Sequence, residues 1–363
     1  MFLLILTAFG LGVLGVLGVT SEFNIVNGTL GVGSTSLSTT TLIFTSTSES
    51  VTVIWDSGGR VDSLRLRDGA RGVVREVLVN NGEDANAVRT NSNHYSSCLL
   101  APWANRVANG TYRFPPGAGP PHFLPRNEIT DDRQDAIHGF LCNKSLEYLG
   151  SGVTVSSPNA QYAWLRLGHT FQDEVGYPWR VRVEVEYRLR SSSRGVTFEF
   201  ETVATNLGTT CAPWTHSWHP YFAVTDVAAS SVIFDSRVSW AHVTMGPGAP
   251  RHGDLIPTGE HTPSGTLDPI GRDGRNTSAS RYLDDEYRAL SSIPRYETHI
   301  LDGSVGVVLW GDKYPVWQVF TGAEELWGSS SVAVEPMSGL ADAFNNGVGL
   351  TVLSAGGTLS GTD

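Results

Sequence analysis

The chain has 363 residues, 40% hydrophobic and 10% aromatic, enough apolar surface to close a large core and to exclude disorder over most of its length. Lys and Arg total 25 against 36 Asp and Glu, and the net charge of −11 without any basic run excludes nucleic acid or an anionic membrane surface as the natural partner. The three cysteines, Cys98, Cys142 and Cys211, allow at most one disulfide, and the lack of a CxxC pair speaks against a structural zinc site.

Residues 1–19 carry no charged side chain. The segment 1–21 fits a signal peptide cut before Glu22, which implies secretion; it is also long enough for a membrane anchor, and a buried strand in a cytoplasmic protein is the third reading. The sequons at Asn27, Asn109, Asn143 and Asn276 have meaning only in the secretory pathway.

From residue 22 to 363 the pattern is that of one all-β unit. Residues 24–50, rich in Ser, Thr and Gly, suggest a polar approach to the fold. Short alternating runs follow at Ser50–Trp55 and Asp62–Arg67, separated by Ser57-Gly58-Gly59, and a third at Val73–Val79 ends at Asn80-Asn81-Gly82. The clearest pattern lies between 181 and 201. There Val181, Val183, Val185, Tyr187 and Leu189 alternate with Arg182, Glu184, Glu186 and Arg188, and beyond a Ser-rich turn Val196, Phe198 and Phe200 alternate with Thr197, Glu199 and Glu201. Two strict period-2 runs predict an antiparallel hairpin with one face dry and one wet. No long stretch has helical period, and 40 Gly and 18 Pro punctuate many short segments, as in a sandwich or barrel. Residues 112–136 and 244–280 read as long irregular inserts, the kind that border a site.

Five stretches carry residues suited to chemistry. Trp214–Phe222 holds His216 and His219 among four other aromatics, and histidine exchanges protons near neutral pH. Arg106 lies among small and apolar neighbours and needs a carboxylate or a polyhydroxylated ligand as partner. His138 precedes Gly139, which permits close backbone approach. Asp284 and Asp285 sit among Leu, Tyr and Glu, and Glu335 ends an apolar run before Pro336, where a buried carboxylate with a raised pKa suits a general base.

Taken in order, Asn105–Gly110, His138-Gly139-Phe140, Gly176–Leu189, Thr205–Gly208, His219-Pro220-Tyr221-Phe222, Leu283–Tyr287 and Val334–Asn345 resemble the aldose 1-epimerase (galactose mutarotase) family, with spellings closer to its epimerase-like branch. The resemblance implies a single large antiparallel β-supersandwich whose concave face holds a sugar. It implies Glu335 as base, His219 as acid, and Arg106, His138 and Asp284 as sugar-binding residues. His216, an odd number of positions from His219, would face the other side of a strand; Asp284 is preferred over Asp285 by the family's spacing to an aromatic.

The implied activity is interconversion of the α and β anomers of a free hexose, by a carboxylate and an imidazolium on opposite sides of one bound sugar, with no cofactor or metal, in a monomer or weak dimer. Two alternatives share the pocket: mutarotation of a hexose 6-phosphate, with Arg126, Arg133, Arg272, Arg275 or Arg281 as further cations, and sugar binding without turnover. A glycan on Asn109, three residues after Arg106, would crowd the site unless the pocket lies on the other side.

Overall fold

The computed structural model describes residues 21–31, 36–69, 72–79, 84–92, 94–130, 133–157, 160–193, 195–246, 255–265, 267, 270, 283–303, 305–321 and 329–362. The proposed leader up to residue 20, the Asn80–Gly82 break, the Asn276 sequon and Arg272, Arg275 and Arg281 lie outside them.

The described chain is almost entirely antiparallel β-structure, the galactose mutarotase-like sandwich that the sequence resemblance implies. Its first sheet is a five-stranded meander, Phe23–Leu30, Leu37–Phe44, Glu49–Ile54, Arg60–Arg67 and Val74–Glu76. The polar stretch at 24–50 is therefore a correction: it supplies two strands. Leu37 and Leu42 are buried along with Thr39 and Thr40, because threonine is β-branched and suits a pleated surface even where it is polar. The run at Val73–Val79 keeps only Val74–Glu76 as a strand.

The alternating runs of the middle form the centre of a second five-stranded sheet, where Val181–Ser192 pairs with Gly195–Asn206 over the whole length of both strands. Val181, Val183, Val185, Tyr187 and Leu189 are all fully buried, each worth about 2 kcal/mol of transfer free energy. The opposite face carries cross-strand ion pairs, Arg188 with Glu201 at 3.0 Å and Arg190 with Glu199 at 2.8 Å, which order the wet side but add little stability. Tyr187 ties the sheets together by donating its hydroxyl hydrogen to the carbonyl oxygen of Gly59. Gly59 has φ +71°, and a Cβ there would stand 2.3 Å from that hydroxyl, so the turn tolerates no side chain.

The site is built on an eight-stranded sheet. Its central order is Asp284–Ala289, Val316–Phe320, Ser331–Met337, Ser217–Trp218 and Leu99–Leu100, with Tyr221–Ala223 also paired to Ser331–Met337. One hydrophobic cluster, from Phe23 to Leu353, runs between all the large sheets. The insert at 112–136 contains short strands, including Glu128–Ile129, which pairs with Gln134–Ile137; that strand pairs in turn with Arg106–Val107. Part of the second insert, Pro257–Ser264, adds an edge strand to the large sheet.

Candidate active site

Cross-strand register places the central pair. Ser217 lies opposite Met337 and Tyr221 opposite Ala333, so His219, midway between, falls opposite Glu335. Side chains at every second position share a face, and His219, Tyr221 and Glu335 all line one cleft of about 260 Å3. The intervening Trp218 and Phe222 point the other way, into the core. His219 Nε2 and Glu335 Oε1 stand 3.4 Å apart, with the residues only 5% and 2% exposed. Register alone therefore brings two proton-carrying groups into contact.

The remaining three candidates line the same cleft. Arg106 forms a bidentate pair with Glu128 at 2.8 and 2.9 Å, donates to Asn105 Oδ1 at 2.9 Å, and lies 3.7 Å from Asp284. Asp284 accepts from the Gln318 amide at 2.6 Å, and Asn105 donates to Gln318 Oε1 at 3.3 Å. The carboxylate that Arg106 needs is thus Glu128, from the first insert. His138 sits directly after Gln134–Ile137 with φ +65°, its ring edge-on to His219 at 5.1 Å and to Tyr95 at 4.7 Å between centroids. Gly139 has φ +65° too, and a Cβ there would sit 2.2 Å from the carbonyl oxygen of Ala101; the close approach inferred from sequence is real and explains the glycine.

The residues not singled out in the two register choices lie elsewhere. His216 is buried against Tyr314 and takes a hydrogen bond from Trp214 Nε1 at 3.3 Å, and burial lowers its pKa to about 4. Asp285 faces away from the cleft and meets His242 Nε2 at 2.7 Å. Asn109 is exposed and is not part of the cleft wall.

Sequence reasoning missed several wall residues, among them Gln318, Glu128, Tyr95 and Phe320. Gln318 had a legible signal, a lone amide inside the apolar run Val316–Phe320, where a buried polar group needs partners. Glu128 had none, because its place depends on how an insert folds back.

Electrostatics separates these groups by burial. Burial opposes the charge on Arg106, but the carboxylates of Asp284 and Glu128 outweigh it and hold its pKa above the ordinary value. Glu128, also opposed by burial, is held below the usual carboxylate range by Arg106. Burial, reinforced by Asp284, pushes Glu335 well up; burial, with His94, Arg60 and Arg106, pushes His219 down to about 3. His138 is pushed well down by burial and by His219. Both shifts in the central pair point the same way, toward a neutral acid beside a neutral imidazole rather than an ion pair.

The Cys98–Cys142 disulfide, which leaves Cys211 exposed and free, joins two of these segments. His219 N–H donates to the carbonyl oxygen of Cys98 at 2.9 Å, and Cys142 lies four residues after His138. Its span of 44 residues gives about 4 kcal/mol in the chain-entropy picture. The double variant Cys98→Ser/Cys142→Ser is expected to melt well below the parent; thermal scans with and without reductant check this, and a melt unmoved by either change contradicts it.

The aldose 1-epimerase family profile matches residues 41–362, nearly the whole described chain. The chain belongs to the aldose 1-epimerase family. Like it, an Escherichia coli protein called YihR, itself uncharacterized, is 27% identical over 263 residues, covering 71% of this chain and 74% of that one. Among solved structures, a galactose mutarotase-like protein from Clostridium acetobutylicum superposes with a TM-score of 0.68 at 17% identity, covering 94% of this chain and 97% of the other. The GalM/aldose epimerase homologue from C. elegans gives 0.65 at 16%, covering 93% and 97%. At such identities these aldose epimerase relatives speak to the fold alone.

Proposed function

We propose that the protein is an aldose 1-epimerase that interconverts the anomers of an uncharged hexose, with Glu335 as base and His219 as acid. The contact between these two side chains carries the reading. A cyclic aldose has two reactive oxygens on one carbon, O1 of the hydroxyl and O5 of the ring, so a base and an acid that touch each other can address both. The two groups stand 3.4 Å apart, close enough for both to reach the oxygens on one carbon.

The step balances within the pair. As sugar enters, the proton of Glu335 passes to His219, giving a carboxylate and an imidazolium with no change in net charge. Arg106 favours the carboxylate form. Glu335 then takes the O1 proton, the C1–O5 bond breaks as C1 becomes a carbonyl, and His219 protonates O5. Rotation about C1–C2 presents the other carbonyl face; His219 takes back the O5 proton, O5 attacks C1, and Glu335 returns its proton to O1. The polar chain Asn105–Gln318–Asp284 and Arg106 offers donors and acceptors for the other hydroxyls, and Tyr95 and Phe320 offer apolar faces.

An uncharged sugar is favoured over a phosphate ester by the charge already in the cleft. A dianion needs cations free to replace its hydration. Among the described residues, Arg106 is engaged by Glu128 and Asp284, Arg133 lies 3.5 Å from Glu128, and Arg126 donates to Gln134 at 2.6 Å without lining the cleft. Polarimetry of fresh α-D-glucose, α-D-galactose and α-D-glucose 6-phosphate with one preparation is expected to show acceleration for a neutral hexose and much less for the ester. Turnover confined to the phosphate, or sugar binding with no acceleration, overturns the reading.

A further inference from the structure

The row that sets Glu335 opposite His219 continues through the sheet in the other direction. Glu335 pairs with Gln318, and Gln318 pairs with Glu286, so two glutamates flank one glutamine on the same face. Glu286 is 0% exposed, is not part of the cleft wall, and takes no part in the proposed proton transfers. Its Oε1 accepts the Ala341 N–H at 2.8 Å; its Oε2 is buried and has no hydrogen-bond partner among the described residues.

Ala341 belongs to the segment that leaves the Glu335 strand. The next residue, Asp342, donates its N–H to the carbonyl oxygen of Arg106 at 2.6 Å and accepts the Ala108 N–H at 2.9 Å. Glu286 therefore anchors the segment that holds the Arg106 turn, while it stands two strands from Glu335 in the same row, with Gln318 between them.

We propose that Glu286 is a positioning residue, an undissociated carboxylic acid that holds the segment after Glu335, and with it Arg106, without placing a further buried negative charge in the row that carries the base. An ionised oxygen with no partner at 0% exposure is costly, and removing the charge by protonation avoids that cost. The groups that act on it are Asp284 on its own strand, Arg106 from the turn, and Glu335 two strands away. Burial, with Asp284, raises its pKa to about 8 although the Ala341 N–H and Arg106 pull the other way. Ionisation above that point strengthens the repulsion that already raises Glu335.

The sign follows from linkage. The pKa is about 8 in the folded protein against 4.5 unfolded, so the carboxyl's favourable contribution is complete below 4.5 and declines as pH rises to about 8. Glu286→Gln keeps the acceptor for Ala341 and cannot ionise. Its melting temperature is expected to equal the parent's near pH 4, to exceed it increasingly up to pH ~8, and to hold a constant lead beyond. Its mutarotation, if the proposed function is right, is expected within about threefold of the parent at pH 7 and to persist at alkaline pH where the parent fades. In the Glu335→Gln background, infrared spectra are expected to show a protonated-carboxyl band that disappears near pH 8. The melting and infrared results do not depend on the sugar or on turnover, so they judge Glu286 separately from the epimerase reading. Parallel pH–melting curves, a Gln variant less stable than the parent at pH 7, or a band absent at pH 6 overturns the proposal; should the Gln variant not fold, the infrared titration decides alone.

Discussion

Glu335→Gln is expected to remove accelerated mutarotation by about a thousandfold, and His219→Asn by a similar factor, within the range that general acid–base catalysis contributes. Glutamine matches the shape of the carboxyl and can still meet His219, but it cannot take a proton from O1. Asparagine cannot hand one to O5. Since the two residues exchange protons with the two oxygens of one carbon in a single step, the double variant should lose little more than either single one. Stability distinguishes a chemical role from a structural one. Burial raises the Glu335 pKa, so its contribution to folding is complete below the unfolded value and declines as pH rises. Glu335→Gln should therefore melt no lower than the parent at pH 7, the usual relation between an active-site charge and stability. A polarimetric rate near that of the parent in either variant rejects the role of that residue.

Arg106→Leu is expected to have the largest effect on stability among the cleft substitutions. The guanidinium is buried, forked onto Glu128, and close to Asp284. Removing it strands two carboxylates, a change that costs about 3–5 kcal/mol for a fully buried pair. Glu128 keeps some solvent contact and lies 3.5 Å from Arg133, which places the expected loss at the lower end, about 3 kcal/mol. Adding Glu128→Gln to Arg106→Leu should recover part of it, because one stranded charge disappears. Denaturant unfolding of the two single variants and the double variant measures this coupling; strict additivity contradicts a direct pair. Arg106→Lys keeps the charge without the planar fork, and is expected to spare stability more than turnover.

The hairpin at 181–206 was legible because a half-buried strand writes its burial into every second residue, and Val181, Val183 and Val185 are indeed buried. The two strands at 24–50 were not legible, since buried threonines break the apolar alternation while still suiting a pleated sheet. At the site, parity showed that only one of His216 and His219 could face the cleft, and the family motif, not the residue type, picked His219. Parity is a local property, and a strand enforces it whatever lies opposite. The signal for Gln318 was equally local, a polar side chain in an apolar run, but was not used.

What the sequence determined by itself was the all-β class, the dry and wet faces of its long strands, and the residue types brought to the cleft. These follow from backbone sterics and the two-residue period, which act within a few residues. The tertiary structure alone decided that Glu335 touches His219, that Arg106 is held by Glu128 from a folded-back insert, that Cys98 pairs with Cys142, and that Glu286 stands at the end of the same row. Each of these joins segments tens to hundreds of residues apart. The register between strands and the burial of each carboxyl exist only after the sheets have packed, and those two quantities set which groups meet and which of them hold a proton.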